Sequence, residues 1–317
     1  MNKTPTQLNN IIEGTNFKAQ YDQSCKKILA NKEITARILK GVVSEYKDCT
    51  IPEIISYISD IEVGEAPVDT DTIPPSVALE NNEDIALNEG VRSYDLKFTS
   101  VAPGDDGKKI SLIINIEAQR KFNPGYSLVK RGIYYCCRLV SSEYGTVFYK
   151  SDYDKLQKVY SIWICTNPND AHRNTVTQYS MSEKMLYGSD VNEKQENYDI
   201  LSLIMVCLDS ENISSDNSLL ELLSTIFSSQ LAAREKKEIL EKKFSIPMNT
   251  EINEEVEAMC NLSENIYEKG KEDLLYQIIQ SKIRGNASND AIYNELKEFG
   301  VSKEFIEKIR NEMDTSE

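Results

Sequence analysis

Apolar residues Ile28, Leu29, Ile34, Ile38, Leu39, Val42 and Val43 recur at three- and four-residue spacing. That spacing predicts helix across residues 17–46, with no Pro or Gly before Gly41. Residues 1–15 are polar and are expected to be disordered. Ile51-Pro52-Glu53 opens a short second helix, with Pro in the first turn where its missing N–H costs nothing. Residues 61–90 carry Pro67, Pro74 and Pro75 with many acids and predict a long acidic loop. The pattern then changes period. Strands are predicted at 91–100 and 109–119, joined by the turn Pro103-Gly104-Asp105-Asp106-Gly107. Leu128, Ile133, Cys136, Cys137, Leu139 and Val140 form the apolar face of a helix over 128–142, ended by Gly145. Val159 to Thr166 is a β-branched and aromatic strand stopped by Asn167-Pro168, and Asn174 to Tyr179 reads as another. Ile200 to Leu208 is a continuous apolar run, as expected of a strand buried on both faces.

After Ser210 the strand signals stop. Helical periodicity marks 219–227, 232–244, 254–283, 289–299 and 304–313, with Ser288 and Ser302 as N-caps and Gly285 and Gly300 as stops. The expectation is an α/β domain over 16–210, a mixed sheet flanked by helices, followed by an all-helical C-terminal region over 211–317. That region suits assembly, including homo-oligomerisation, or partner binding. No heptad run is long enough for a coiled coil.

Composition adds bounds. The 317 residues are 40% hydrophobic and 27% charged, ordinary for a globular protein. The polar start Met1-Asn2-Lys3-Thr4-Pro5 does not read as a signal peptide. The longest apolar run, Ile200 to Leu208, is too short to span a bilayer. A soluble, cytoplasmic chain with no membrane partner is expected. The seven cysteines are odd in number and form no Cys-x-x-Cys pair, which argues against a zinc site or disulfide framework. The single histidine, His172, excludes His-rich metal sites and falls in a predicted surface loop.

The net charge of -15 opposes binding of nucleic acid, whose phosphates require basic residues. Its distribution matters more than its sum. Residues 61–90 carry eight acids and no Lys or Arg. Residues 95–138 carry eight bases against four acids, a local balance of +4.

That basic segment holds a spaced carboxylate set, Asp95 and Glu117-Ala118-Gln119. Side chains alternate across a strand, so Asn115, Glu117 and Gln119 share one face, and Ser93, Asp95 and Lys97 share one on the preceding strand. A hairpin then brings Asp95 and Glu117 onto a common face. Two adjacent carboxylates repel unless a proton or cation lies between them. A hard cation suits them: Mg²⁺, or Mn²⁺ in its place, with the Ala118 carbonyl as a third oxygen. Taken alone, the same residues also describe the polar face of an exposed hairpin. Glu45, near the end of the first helix, is a further candidate ligand, although a solvated helical Glu is the favoured reading of it.

The strand ending in Ile116-Glu117-Ala118-Gln119, the helix with Arg131-Gly132-Ile133-Tyr134-Tyr135, the opening helix with Tyr21, Asp22, Lys26 and Lys27, and the segment Met259 to Ser263 through Tyr267 to Gly270 together resemble the PD-(D/E)xK nuclease superfamily. The similarity is to its recombination-promoting nuclease and transposase branch, and it covers residues 17–285. It implies a restriction-endonuclease-like mixed sheet and a Mg²⁺-dependent DNA endonuclease linked to recombination or transposition. Asp95, Glu117 and the Ala118 carbonyl would hold the metal. Gln119, where the superfamily name has Lys, would position water. Lys121 and Arg131, just beyond, are candidate phosphate contacts. The neutral Gln119 and the acidic 61–90 segment depart from that pattern. They leave open a catalytically silent nuclease-fold protein that acts as a scaffold through its helical half.

Overall fold

The computed structural model describes residues 19–63, 94–104, 109–188, 192–209 and 212–314, without the side chains of 263–270, 272, 273 and 314. The expected N-terminal disorder and nearly all of the acidic loop lie outside these residues, as do the start of the first predicted strand and part of the turn after it.

The expected first helix is two. Helix α1 covers residues 19–30 and α2 covers Lys32–Val42. Between them Asn31 takes an extended backbone (φ -63°, ψ 122°), and its side chain accepts from the Glu33 N–H to cap α2. Helix α3 (Ile51–Tyr57) starts at Thr50, whose hydroxyl and the Glu53 carboxylate cap each other's backbone N–H groups. Strands β1 (Glu62–Val63), β2 (Leu96–Pro103) and β3 (Lys109–Lys121) are antiparallel neighbours. Helix α4 (Leu128–Ser142) follows, capped by Ser127, and then strands β4 (Lys158–Asn167), β5 (Thr175–Ser180) and β6 (Leu201–Cys207).

The sheet has six strands in the order β1-β2-β3-β4-β6-β5. β3, β4 and β6 run parallel at its centre, and β1, β2 and β5 are antiparallel to their neighbours. This mixed sheet with flanking helices establishes an α/β architecture. From Leu112 to Glu117, β3 is buried at every position, as befits a central strand with α4 packed on one face. That is why its sequence runs apolar without alternation.

One face carries Ile113, Val159, Trp163, Cys165, Leu203, Met205 and Cys207, which pack with Leu128, Tyr135, Cys136 and Leu139 of α4. Gly132 permits this approach: a Cβ there would stand 2.5 Å from Leu203 Cδ1. On the other face α3 and the turn at Ser44–Tyr46 pack against β2, where the Tyr46 hydroxyl meets Ser100 Oγ at 2.7 Å.

Helices α5 (Ser218–Phe227) and α6 (Ala233–Lys242) belong to the same compact unit, Asp22–Ala258, as the sheet. Eight of the ten α5 residues are buried. Gly41 makes room for this helix, since a Cβ there would fall 2.7 Å from Leu219 Cδ2.

A second unit begins at Met259. Helix α7 is Thr250–Arg284, α8 is Asn289–Leu296 and α9 is Lys303–Asp314. Ile279, Ile283, Ile292, Leu296, Val301, Ile306 and Ile309 make the core of this unit. Ser288 and Ser302 cap as expected, and Gly300 takes the left-handed conformation at φ 85°. Beyond α7 that role falls to Asn286 (φ 60°), one residue after the expected Gly285. Among the described residues no helix is long and apolar enough to cross a membrane.

Candidate functional site

The β2–β3 register pairs Leu96 with Ile116, so one step further Asp95 faces Glu117. Asp95 lies just before β2, not inside it as expected. Its place is fixed by an interlock. The Asp95 N–H donates to Glu117 Oε1 at 3.1 Å, and the Ala118 N–H donates to Asp95 Oδ2 at 3.0 Å. Each carboxylate is thus oriented by the backbone of the other's segment. Ala118 meets Asp95 through its N–H.

Glu117 is the last fully buried residue of β3 and is only 4% exposed. Burial pushes its carboxyl well above the usual range, and the charge of Asp95 pushes the same way. The Asp95 N–H, Arg131 and Lys26 oppose this without cancelling it. Asp95 is also raised, by burial first, against the pull of Lys26 and the Ala118 N–H. Two carboxylates in this setting need a counter-charge.

One counter-charge comes from a residue that the sequence marks only as part of the opening-helix resemblance, not as a site residue. Lys26, on α1, places Nζ 2.8 Å from Asp95 Oδ1 and 3.4 Å from Asp22 Oδ2. Burial works against its ammonium, but the two acids outweigh that, so its pKa is raised. The flanking Cys25, Ile28 and Leu29 are buried and hold α1 in place. The signal in the sequence was an Asp and a Lys four apart beside an apolar helix face.

A second positive charge acts on Glu117. Glu117 is in register with Trp163 on β4. The Arg131 guanidinium, from α4, lies 5.2 Å from the Trp163 ring centre and 5.1 Å from that of Tyr135. It donates to the Tyr126 and Tyr135 hydroxyls, both at 2.8 Å. Tyr94 packs edge-on against Tyr135 at 5.3 Å. Arg131 is therefore held in an aromatic mount, a use of these tyrosines that helical periodicity could not separate from core packing.

Gln119 is half-buried on the Glu117 face, and Lys121, two residues on, is exposed. Beneath the pair Asn115 donates to Ser161 Oγ at 3.0 Å, and Trp163 Nε1 donates to the same oxygen at 2.9 Å. Asn115 Oδ1 is buried and has no hydrogen-bond partner among the described residues.

Glu45 is not part of this group. Tyr160 donates to it at 2.6 Å and Lys158 pairs with it at 3.0 Å. Lys158 is opposite Leu112, five positions from Glu117, which is about 16 Å along the strand. The residues facing Glu45 also lie on the opposite sheet face. His172 stacks on Phe122 with ring centres 4.0 Å apart, and its Nδ1 meets Asn169 Oδ1 at 2.5 Å.

The donor set suits a hard cation: two desolvated carboxylates and an unsatisfied amide oxygen nearby, all oxygen. Among the described residues there is no group of three or more His, Cys, Asp or Glu side chains that could hold a metal ion. A cation here would rest on two protein carboxylates, with backbone carbonyl or water completing its shell. The fold and site thus define the class: an α/β protein with a buried acidic pair at the end of a central parallel strand. Comparison with family models, with curated proteins and with solved structures finds no match.

Proposed function

We propose that this chain is a metal-dependent DNA endonuclease with a restriction-endonuclease-like fold, linked to recombination or transposition. The observation that carries the reading is the interlocked Asp95–Glu117 pair, desolvated and set on the sheet face beneath Arg131. Asp95 and Glu117 are the residues that would hold Mg²⁺ or Mn²⁺, with the Ala118 carbonyl adding a neutral oxygen. When bound, that ion supplies an activated water and charge neutralisation on the phosphate. Gln119, on the same face, orients water by hydrogen bonding. Arg131 is held by two tyrosine hydroxyls and two rings, and its fixed charge favours a phosphate oxygen. Lys121, exposed at the strand end, contacts the backbone of the same DNA.

Plasmid nicking with Mg²⁺ tests this. Wild type is expected to cut, and Asp95→Ala and Glu117→Ala are not. Cutting that survives in both variants removes the site assignment.

A second reading is favoured by one observation. Lys26 already pairs with Asp95, and among the described residues no third acid joins the pair in a group that could hold a metal ion. The same geometry then serves as a closed ionic core in a silent scaffold that works through its helical unit. Calorimetry separates the two readings, because a scaffold of this kind binds neither Mg²⁺ nor Mn²⁺.

A further inference from the structure

Lys26 is placed where a cation would be. Its Nζ is 2.8 Å from Asp95 Oδ1, and the Asp95 side chain is only 15% exposed. The opposite oxygen, Oδ2, is engaged by the Ala118 N–H. Both Asp95 oxygens are therefore occupied, one by a neutral donor and one by a full positive charge. Asp22 offers the ammonium a second station, since its Oδ2 is 3.4 Å from the same Nζ. That carboxylate is 57% exposed, so it is accessible to the ammonium. Asp22 and Lys26 are one turn apart on α1, so rotation of the lysine stem alone exchanges the partners.

We propose that Lys26 is a resident counter-ion of the acidic pair, displaced from Asp95 onto Asp22 when a divalent cation enters. The inference rests on the metal-site reading above. Without metal, the ammonium holds the two carboxylates together and offsets their repulsion. A divalent ion must compete with it, and the competition sets the metal concentration at which the site fills. Asp22 lowers the cost of displacement by keeping the ammonium paired.

Competition and support give opposite signs, which makes the idea testable on the full chain. Mn²⁺ is titrated calorimetrically into wild type, Lys26→Met, Asp22→Asn and the double variant, with thermal melts to confirm folding. Lys26→Met is expected to bind Mn²⁺ about tenfold tighter, because a like charge a few ångströms away is gone. Asp22→Asn is expected to bind roughly threefold more weakly, because the displaced ammonium loses its second partner. In the double variant the Asp22 effect should vanish, leaving the affinity of Lys26→Met. Unchanged or weaker binding by folded Lys26→Met, with wild type binding normally, overturns the counter-ion role and leaves the metal site intact. An Asp22→Asn loss that persists without Lys26 overturns the second station. If no folded variant binds Mn²⁺, the metal-site reading fails and takes this inference with it.

Discussion

Glu117 sits where stability and chemistry oppose each other. A carboxylate 4% exposed and facing another acid is unfavourable for the fold. Glu117→Gln keeps its shape and its acceptor for the Asp95 N–H, so its melting temperature is expected to rise while nicking falls at least about a hundredfold. A lower melting temperature would mean that the carboxylate's contacts outweigh its burial. Glu143 shows the same cost away from the site. It is 1% exposed, accepts from the Gln157 N–H at 2.8 Å, and burial lifts its carboxyl to about 7. Between the unfolded value near 4.5 and about 7, the folded state holds the extra proton. Stability therefore falls as pH rises through that window. Urea unfolding from pH 4 to pH 8 is expected to show that decline, with Glu143→Gln reducing it, equal to wild type at low pH and more stable above pH 7. The Asp95–Glu117 pairing was legible because strand alternation is local. Lys26 was not, because its role depends on how α1 docks against a strand far along the chain.

Element by element, the boundaries of α4 and the central strands followed from periodicity and from punctuation at Pro168 and Gly145. The break at Asn31 did not, because apolar spacing continues across it while the backbone turns out of helix. Gly132 links helix geometry to the site. Its missing side chain lets α4 approach Leu203 and brings Arg131 over Trp163. Gly132→Val is expected to cost about 1–3 kcal/mol in chemical denaturation by overpacking this contact. If stability is unchanged, α4 has room to shift and does not fix Arg131. Arg131→Lys keeps the charge but cannot span both tyrosine hydroxyls, so it should not restore activity.

For the whole molecule, the net charge of -15 requires any DNA contact to be local. Observed affinity should fall steeply with salt, and Arg131→Ala and Lys121→Ala should each lower the logarithmic salt slope by about one. Slopes unchanged in both would place the DNA elsewhere. The helical half expected from Ser210 onward is better described through its burial. α5 and α6 complete the sheet unit, so a chain ending at Ser210 lacks the buried Leu219, Leu220, Leu223 and Ile226, uncovers the surface they pack against, and is expected to lose its cooperative melt. Light scattering of the full chain against one ending at Ala258 then asks whether residues 259–317 drive assembly, and an unchanged oligomeric state counts against it. Periodicity showed α5 as a helix but could not show which unit its apolar face would join.

The central claim is that Asp95 and Glu117 form a metal-dependent cutting site, and supercoiled plasmid tests it most directly. With Mg²⁺ the wild-type chain is expected to produce nicked circles, while Asp95→Ala and Glu117→Ala, shown to be folded, produce none. Equal nicking by all three, or none by wild type with either Mg²⁺ or Mn²⁺, would contradict it.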